Sequence, residues 1–170
     1  MHALIATDGS EVSLDAARKA VALLNPTRVT LLSAADTSIA EDSGAGGFEG
    51  NLLSPVESER ARDAILDEGR DELTSTLQAI GLDPAIVDRR LVEGSPGRTI
   101  CQVANEVDPD VVVVGSHGRG FLGRVLIGSV SEYVVRHCTA PVLVVRHDDA
   151  EDAQPIVPEG DTAAEAAGIE

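Results

Sequence analysis

Four consecutive valines, Val111 to Val114, stand between Asp110 and Gly115. The run is too short for a buried helix and shows no polar alternation. It reads as a strand buried on both faces, the environment of a central strand in a parallel sheet. Parallel neighbours require crossover connections, usually helical, and the rest of the chain supplies them. Ala3 to Ala6 reads as a first strand. Ser10 caps a helix whose Leu14, Ala17, Val21 and Leu24 recur on one face. Val29 to Ala35 is a second strand. Ala61, Ile65, Leu73, Leu77 and Ile80 mark a second helix that Gly81 ends, with Gly69 inside it at a cost of about 1 kcal/mol relative to Ala. Ile86 to Val92, polar enough for a sheet edge, Ile100 to Val107 as a helix, Val130 to His137 as a last helix and Val142 to Val145 as a last strand complete the series. The alternation predicts an α/β chain with one doubly wound, five-stranded parallel sheet and helices on both faces. Ligands of such sheets bind beyond the carboxyl ends of the strands, where the strand order reverses.

Two segments stand outside this pattern. Residues 36–54 are long, Gly-rich and aperiodic, as lids and disordered loops are. Residues 148–170 carry eight acids and no base, the composition of a disordered, solvating tail. The expected division is a domain over 1–147 and an acidic tail over 148–170.

Composition excludes several functions. The net charge is −16 and aromatics make up 2% of the chain, so it would repel phosphate backbones and has little with which to stack bases. Nucleic acid is not an expected partner. No apolar stretch approaches the length that spans a bilayer, and Met1 leads into a short apolar run without a basic flank, so no membrane partner and a cytoplasmic location are expected. Lys19 is the one lysine against twelve arginines, and acids number 29. That balance fits adaptation to a salt-rich cytoplasm, where screening removes self-repulsion; an ordinary acidic protein with an arginine bias is the alternative. Cys101 and Cys138 share no metal-ligand or redox-motif spacing and read as small buried hydrophobes in a reducing compartment.

The chemistry concentrates after the valine strand, in Gly115-Ser116-His117-Gly118-Arg119-Gly120-Phe121-Leu122-Gly123-Arg124-Val125-Leu126-Ile127-Gly128-Ser129. Glycines let backbone N–H groups close around an anion, and the helix that follows turns its free N–H groups and positive dipole end the same way. Ser129 and Ser131 lie in its first turn and offer hydroxyls. Residues 111–146 hold four arginines against Glu132, the one locally basic stretch of an acidic chain. A Gly-rich turn with a capping serine and no ligand is the plain alternative. Gly118, Gly120 and Gly123 also spell the dinucleotide fingerprint, but that fingerprint needs a helix opening at the glycines and a further half-domain downstream, and neither is present. No Walker A lysine exists.

The spacing Gly115-x-x-Gly118, nine residues, then Gly128-Ser129 resembles the phosphate motif of ATP-binding universal stress proteins. The likeness extends to Leu4-Ile5-Ala6-Thr7-Asp8-Gly9-Ser10-Glu11, Val29 to Leu32, Gly94-x-Pro96 and Ala140-Pro141 with the strand after it, covering roughly 1–146. The resemblance implies a Rossmann-like sheet of order 3-2-1-4-5 and ATP, with Mg²⁺, lying across strands one and four. By it, Asp8 meets the ribose or adenine side and the backbone of Ala34 the adenine edge. Gly115 and Gly118 wrap the triphosphate, and Gly128, Ser129 and Ser131 hold its far end. Thr7, Ser116, His117, Arg119 and Val130 complete the expected cofactor-binding set. Asp8 equally suits a turn residue feeding the first helix, and His117 a solvated loop histidine. Ser33 stands where many members carry His, and Ala34-Ala35 where bulkier residues are common, which implies a looser adenine wall. A regulatory nucleotide-binding module with little or no turnover is the leading expectation. A slow Mg-dependent ATPase and a dimeric scaffold without nucleotide are the alternatives. The resemblance further implies a homodimer paired through residues 142–146.

Overall fold

A computed structural model describes residues 1–38, 54–116 and 128–146 of the chain. His117, Gly118, Arg119, most of the 36–54 segment and the acidic tail therefore lie outside the described residues. The strands are β1 (His2–Thr7), β2 (Arg28–Ala35), β3 (Val87–Glu93), β4 (Val111–Gly115) and β5 (Val142–Val145). The helices are α1 (Glu11–Leu24), α2 (Pro55–Ile80), α3 (Pro96–Val107) and α4 (Ser129–His137). Every strand pairing is parallel, in the order β3-β2-β1-β4-β5. The doubly wound sheet and its strand order stand as expected.

Alternating residues of each strand enter two separate cores. Ala3, Ile5, Val29, Leu31, Val111 and Val113 face α1 and α2, meeting Ala17, Ala20, Leu73 and Ile80. Leu4, Leu32, Val112 and Val114 face α3 and α4, meeting Ile100, Val103, Ala104 and Val134. With hardly an aromatic available, helices close onto the sheet through small side chains. Gly69 is the sharpest case. A Cβ there would collide with Leu91 Cδ1 and stand 3.1 Å from Ser33 Oγ, so the residue that weakens α2 locally is the one that lets it lie flat on β2 and β3. A second close approach joins α3 to α4, where a Cβ on Gly97 would stand 2.8–3.0 Å from three atoms of Tyr133.

Helix starts are where the sequence reading fell short. α2 begins at Pro55, six residues before Ala61, on a capping box between Ser54 and Glu57 with proline in the first turn. α3 begins at Pro96, four residues before Ile100, again on a first-turn proline. A first turn is held by caps and by proline's preset φ rather than by buried side chains, so apolar periodicity begins after it.

The cysteines are a correction. Cys101 on α3 and Cys138 at the end of α4 form a disulfide, with Cα atoms 4.9 Å apart and a separation of 37 positions in sequence. Two unlinked thiols were expected. Side-by-side packing of α3 and α4 makes neighbours of residues that no local spacing connects, and the inference of a reducing compartment from unpaired cysteines loses its basis. No helix among the described residues is long and apolar enough to cross a membrane.

Candidate functional site

The strand order reverses between β1 and β4. From β1 the chain turns to α1 on one face; from β4 it reaches α4 on the other. A crevice beyond the carboxyl ends of these two strands is the expected ligand position. The β1–β4 register ends at Ile5 opposite Val113, and beyond it the two strands diverge toward α1 and α4.

The β1 side is a hydrogen-bonded turn. Gly9 has φ +69°, open to glycine and strained for other residues. Asp8 Oδ1 accepts from Ser10 N at 3.1 Å and from Ser10 Oγ at 2.6 Å, and Ser10 Oγ accepts from Ser13 N at 3.2 Å, the N-cap of α1. The turn-forming role weighed for Asp8 is thus present, with its carboxylate half-buried at the mouth of the crevice. Thr7 turns inward: its hydroxyl meets Thr76 Oγ1 at 2.8 Å and Ser13 Oγ at 3.2 Å, and accepts from Gly9 N at 3.2 Å. Any contact from Thr7 to a ligand falls to its backbone.

The β4 side closes on itself. Ser116 is buried, and its N–H donates to Val145 O at 2.8 Å. Its carbonyl accepts from Gly128 N at 2.7 Å and from Ser131 Oγ at 3.2 Å. Residues 116 and 128 therefore meet, so the chain that leaves β4 returns to the same point before α4 begins. Ser131 also donates to Gly128 O at 3.0 Å. Its hydroxyl serves this closure rather than standing open to an anion, and an anion would meet its backbone N–H instead. Gly128 is the N-cap of α4 and, among the described residues, no side chain caps the helix. The first-turn N–H groups of Ser129, Val130 and Ser131 thus meet no side-chain acceptor at the cap among the described residues, and Ser129 and Val130 are exposed. Glu132, the acid in this turn, pairs with Arg136 at 2.7 Å. An anion suits this arrangement, because a helix N-terminus concentrates orphan donors and partial positive charge.

Ala34 is half-buried on β2, paired with Val92, and Gly94 N donates to Ala35 O at 2.9 Å. Ala34 lies one strand beyond the Asp8 turn, so the expected base end and phosphate end fall along one line across β2, β1 and β4. Ser33, on the opposite face, is buried and donates to Glu72 Oε2 at 2.6 Å. The Ser33 hydroxyl is thus tied to α2. Sequence reasoning missed this pair, and it missed Thr37, Glu93 and Arg62, which gather at the carboxyl ends of β2 and β3. Arg62 makes two hydrogen bonds to Glu93, at 2.7 and 2.8 Å, and Thr37 donates to Glu93 at 3.3 Å. The Arg62 hydrogen bonds hold the Glu93 carboxyl below its ordinary range. Isolated polar residues of this kind carry no periodic or motif signal. Among the described residues, no cluster of three or more His, Cys, Asp or Glu forms a metal site.

The profile of the Universal stress protein family matches residues 1–146. A universal stress protein of Synechocystis is 30% identical over 154 residues, covering 85% of this chain and 96% of that one. Among solved structures, the universal stress protein UspA from Lactobacillus plantarum superposes with a TM-score of 0.67 at 27% identity, covering 86% of this chain and 97% of its own. A universal stress protein in complex with cAMP superposes with a TM-score of 0.50 at 27% identity, covering 85% and 96%. With the family profile matched over residues 1–146 and the sheet order in place, the chain belongs to the universal stress protein family.

Proposed function

We propose that the chain is a regulatory adenine-nucleotide module that holds ATP, with Mg²⁺, across β1 and β4 with little or no turnover. One observation carries this reading. The hydrogen bond from Gly128 N to Ser116 O brings the N-terminus of α4, which no described side chain caps, to the carboxyl end of β4 at the switch point. The solved relative in complex with cAMP supports an adenine nucleotide as the ligand class. The residues fit the triphosphate. The backbone of Gly115 and the first-turn N–H groups of α4 would receive phosphate oxygens, and Asp8 would stand toward the ribose. Ser116 and Ser131 act one step back, holding the segment closed. Bound Mg²⁺ would neutralise phosphate charge. The glycine segment from Gly115 to Ser129 carries no carboxylate to orient a water and no lysine, which favours holding over hydrolysis.

Calorimetric titration of Mg·ATP into nucleotide-stripped protein tests this, with ADP, AMP and cAMP for comparison and a G118A/S129A variant as control. Saturable binding that the variant loses is expected, and ligand at about 100 times its dissociation constant should add about 2.7 kcal/mol of stability. No heat and no shift in melting temperature overturn the reading. Residues Val142 to Val145 are each only half-buried at the sheet edge, which supports a homodimer formed by pairing of two such edges. Sedimentation should give twice the chain mass; a monomer at tens of micromolar overturns that part. The reading places the protein in the cytoplasm, where adenine nucleotides are abundant.

A further inference from the structure

We propose that the Cys101–Cys138 disulfide is a reversible redox-modification site whose state sets how firmly α4 holds its N-terminus against the nucleotide phosphates. The inference rests on the nucleotide-binding reading above and adds to it a chemical input. The weakness of α4 alone is the starting point. It has nine residues and, among the described residues, no side-chain cap at its N-terminus, and a helix so short has marginal stability without tertiary contacts. Its buried side chains are Ser131 and Val134. Beyond these, Tyr133 rests on Gly97, and the disulfide fastens the C-terminal end, with Cys138 N bonded to Val134 O at 2.9 Å. The fastening point is firm: Cys101 sits on α3 among Ile100, Val103 and Ala104, all buried. Roughly 14 Å of helix, at 1.5 Å per residue, separates that bond from Gly128. Through it, a tether at one end limits tilt and fraying at the other, where the first-turn N–H groups stand.

The chemistry is thiol–disulfide exchange with a dithiol reductant. A reductant thiolate attacks Sγ of Cys138, the half-buried partner, and the Cys101 sulfur leaves as thiolate and takes up a proton. The second reductant thiol then resolves the mixed disulfide. Two protein thiols and the oxidised, cyclic reductant result, a two-electron, two-proton exchange. The chain has two cysteines in all, so no other protein thiol confuses the assignment.

The test compares three forms of the full chain: oxidised, reduced with dithiothreitol, and a C101A/C138A variant. Free thiols are counted under denaturant, Mg·ATP binding is measured by calorimetry, and amide hydrogen exchange is followed along α4. Reduction should weaken Mg·ATP binding by about fivefold or more, the lower end of ordinary coupling between two sites. It should also speed exchange across 129–137, and the variant should match the reduced form and ignore reductant. Two free thiols after oxidation, equal affinity in oxidised and reduced protein, or a variant that still responds to reductant would each overturn the proposal. If no form binds nucleotide, the functional reading fails by itself, and α4 exchange decides here. Faster exchange on reduction keeps the bond as a redox-set fastener of α4; unchanged exchange removes it.

Discussion

Gly97 shows how much a single missing methyl group decides. Its Cα faces Tyr133 so closely that an added Cβ would lie within 3.0 Å of the Tyr133 Cβ, an atom near the α4 backbone that cannot swing aside. Gly97→Ala should therefore push α4 away from α3 and cost about 1–3 kcal/mol, the usual penalty of overpacking, read as a lower urea midpoint. A cost below about 0.5 kcal/mol would mean that α4 shifts freely. His2 illustrates a different case, a polar residue half-buried at the start of β1. Its ring meets Thr30 Oγ1 at 2.9 Å. Burial first, then the Arg28 charge, lowers its pKa beneath the ordinary imidazole value of 6.5. The unfolded chain then binds the proton more tightly than the folded one, so stability falls as pH drops from 6.5 toward the folded value. NMR titration should give a His2 pKa below 6.5, and His2→Gln should flatten the stability profile in that interval; an unchanged profile would contradict the assignment.

At the scale of elements, ends matter more than middles. α2 opens with a reciprocal box: Glu57 N donates to Ser54 Oγ, and Ser54 N donates to Glu57 Oε2 at 2.7 Å. The second bond leads the effects that lower the Glu57 pKa. Ser54→Ala should destabilise the protein by about 1 kcal/mol, with faster hydrogen exchange confined to the first turn of α2. A loss spread over the whole helix would show that the box does more than hold its end. α4 differs in kind. Its N-cap is Gly128, with no side-chain acceptor, and the arrangement that would weaken an ordinary helix leaves donors for a ligand. The same economy places Ser131 beneath the segment, where its hydroxyl holds Ser116 and Gly128 together. Its position in the first helical turn suggested Ser131 as a site residue; the fold shows that its hydroxyl is bonded to Ser116 O and Gly128 O.

For the molecule as a whole, the disulfide is the largest single constraint the sequence did not reveal. Cross-linking residues 37 apart removes loop entropy from the unfolded chain worth about 4 kcal/mol. Reduction should lower the unfolding free energy by roughly that amount, and equal urea midpoints with and without reductant would show that the bond does not form. The layered architecture was legible because it follows from local pattern. An unbroken valine run needs cover on both faces, apolar periods of 3.6 make the helices, and the glycine spacing with Gly128-Ser129 marked the segment between β4 and α4. Those signals lie within short windows of the chain and survive without knowledge of neighbours. Gly69 beneath Leu91, Glu72 on Ser33, Arg62 on Glu93 and Cys101 on Cys138 were decided only by the tertiary structure. Each joins residues 20 to 40 positions apart or so, and such pairs become neighbours only once the sheet order and the packing of each helix onto it are set.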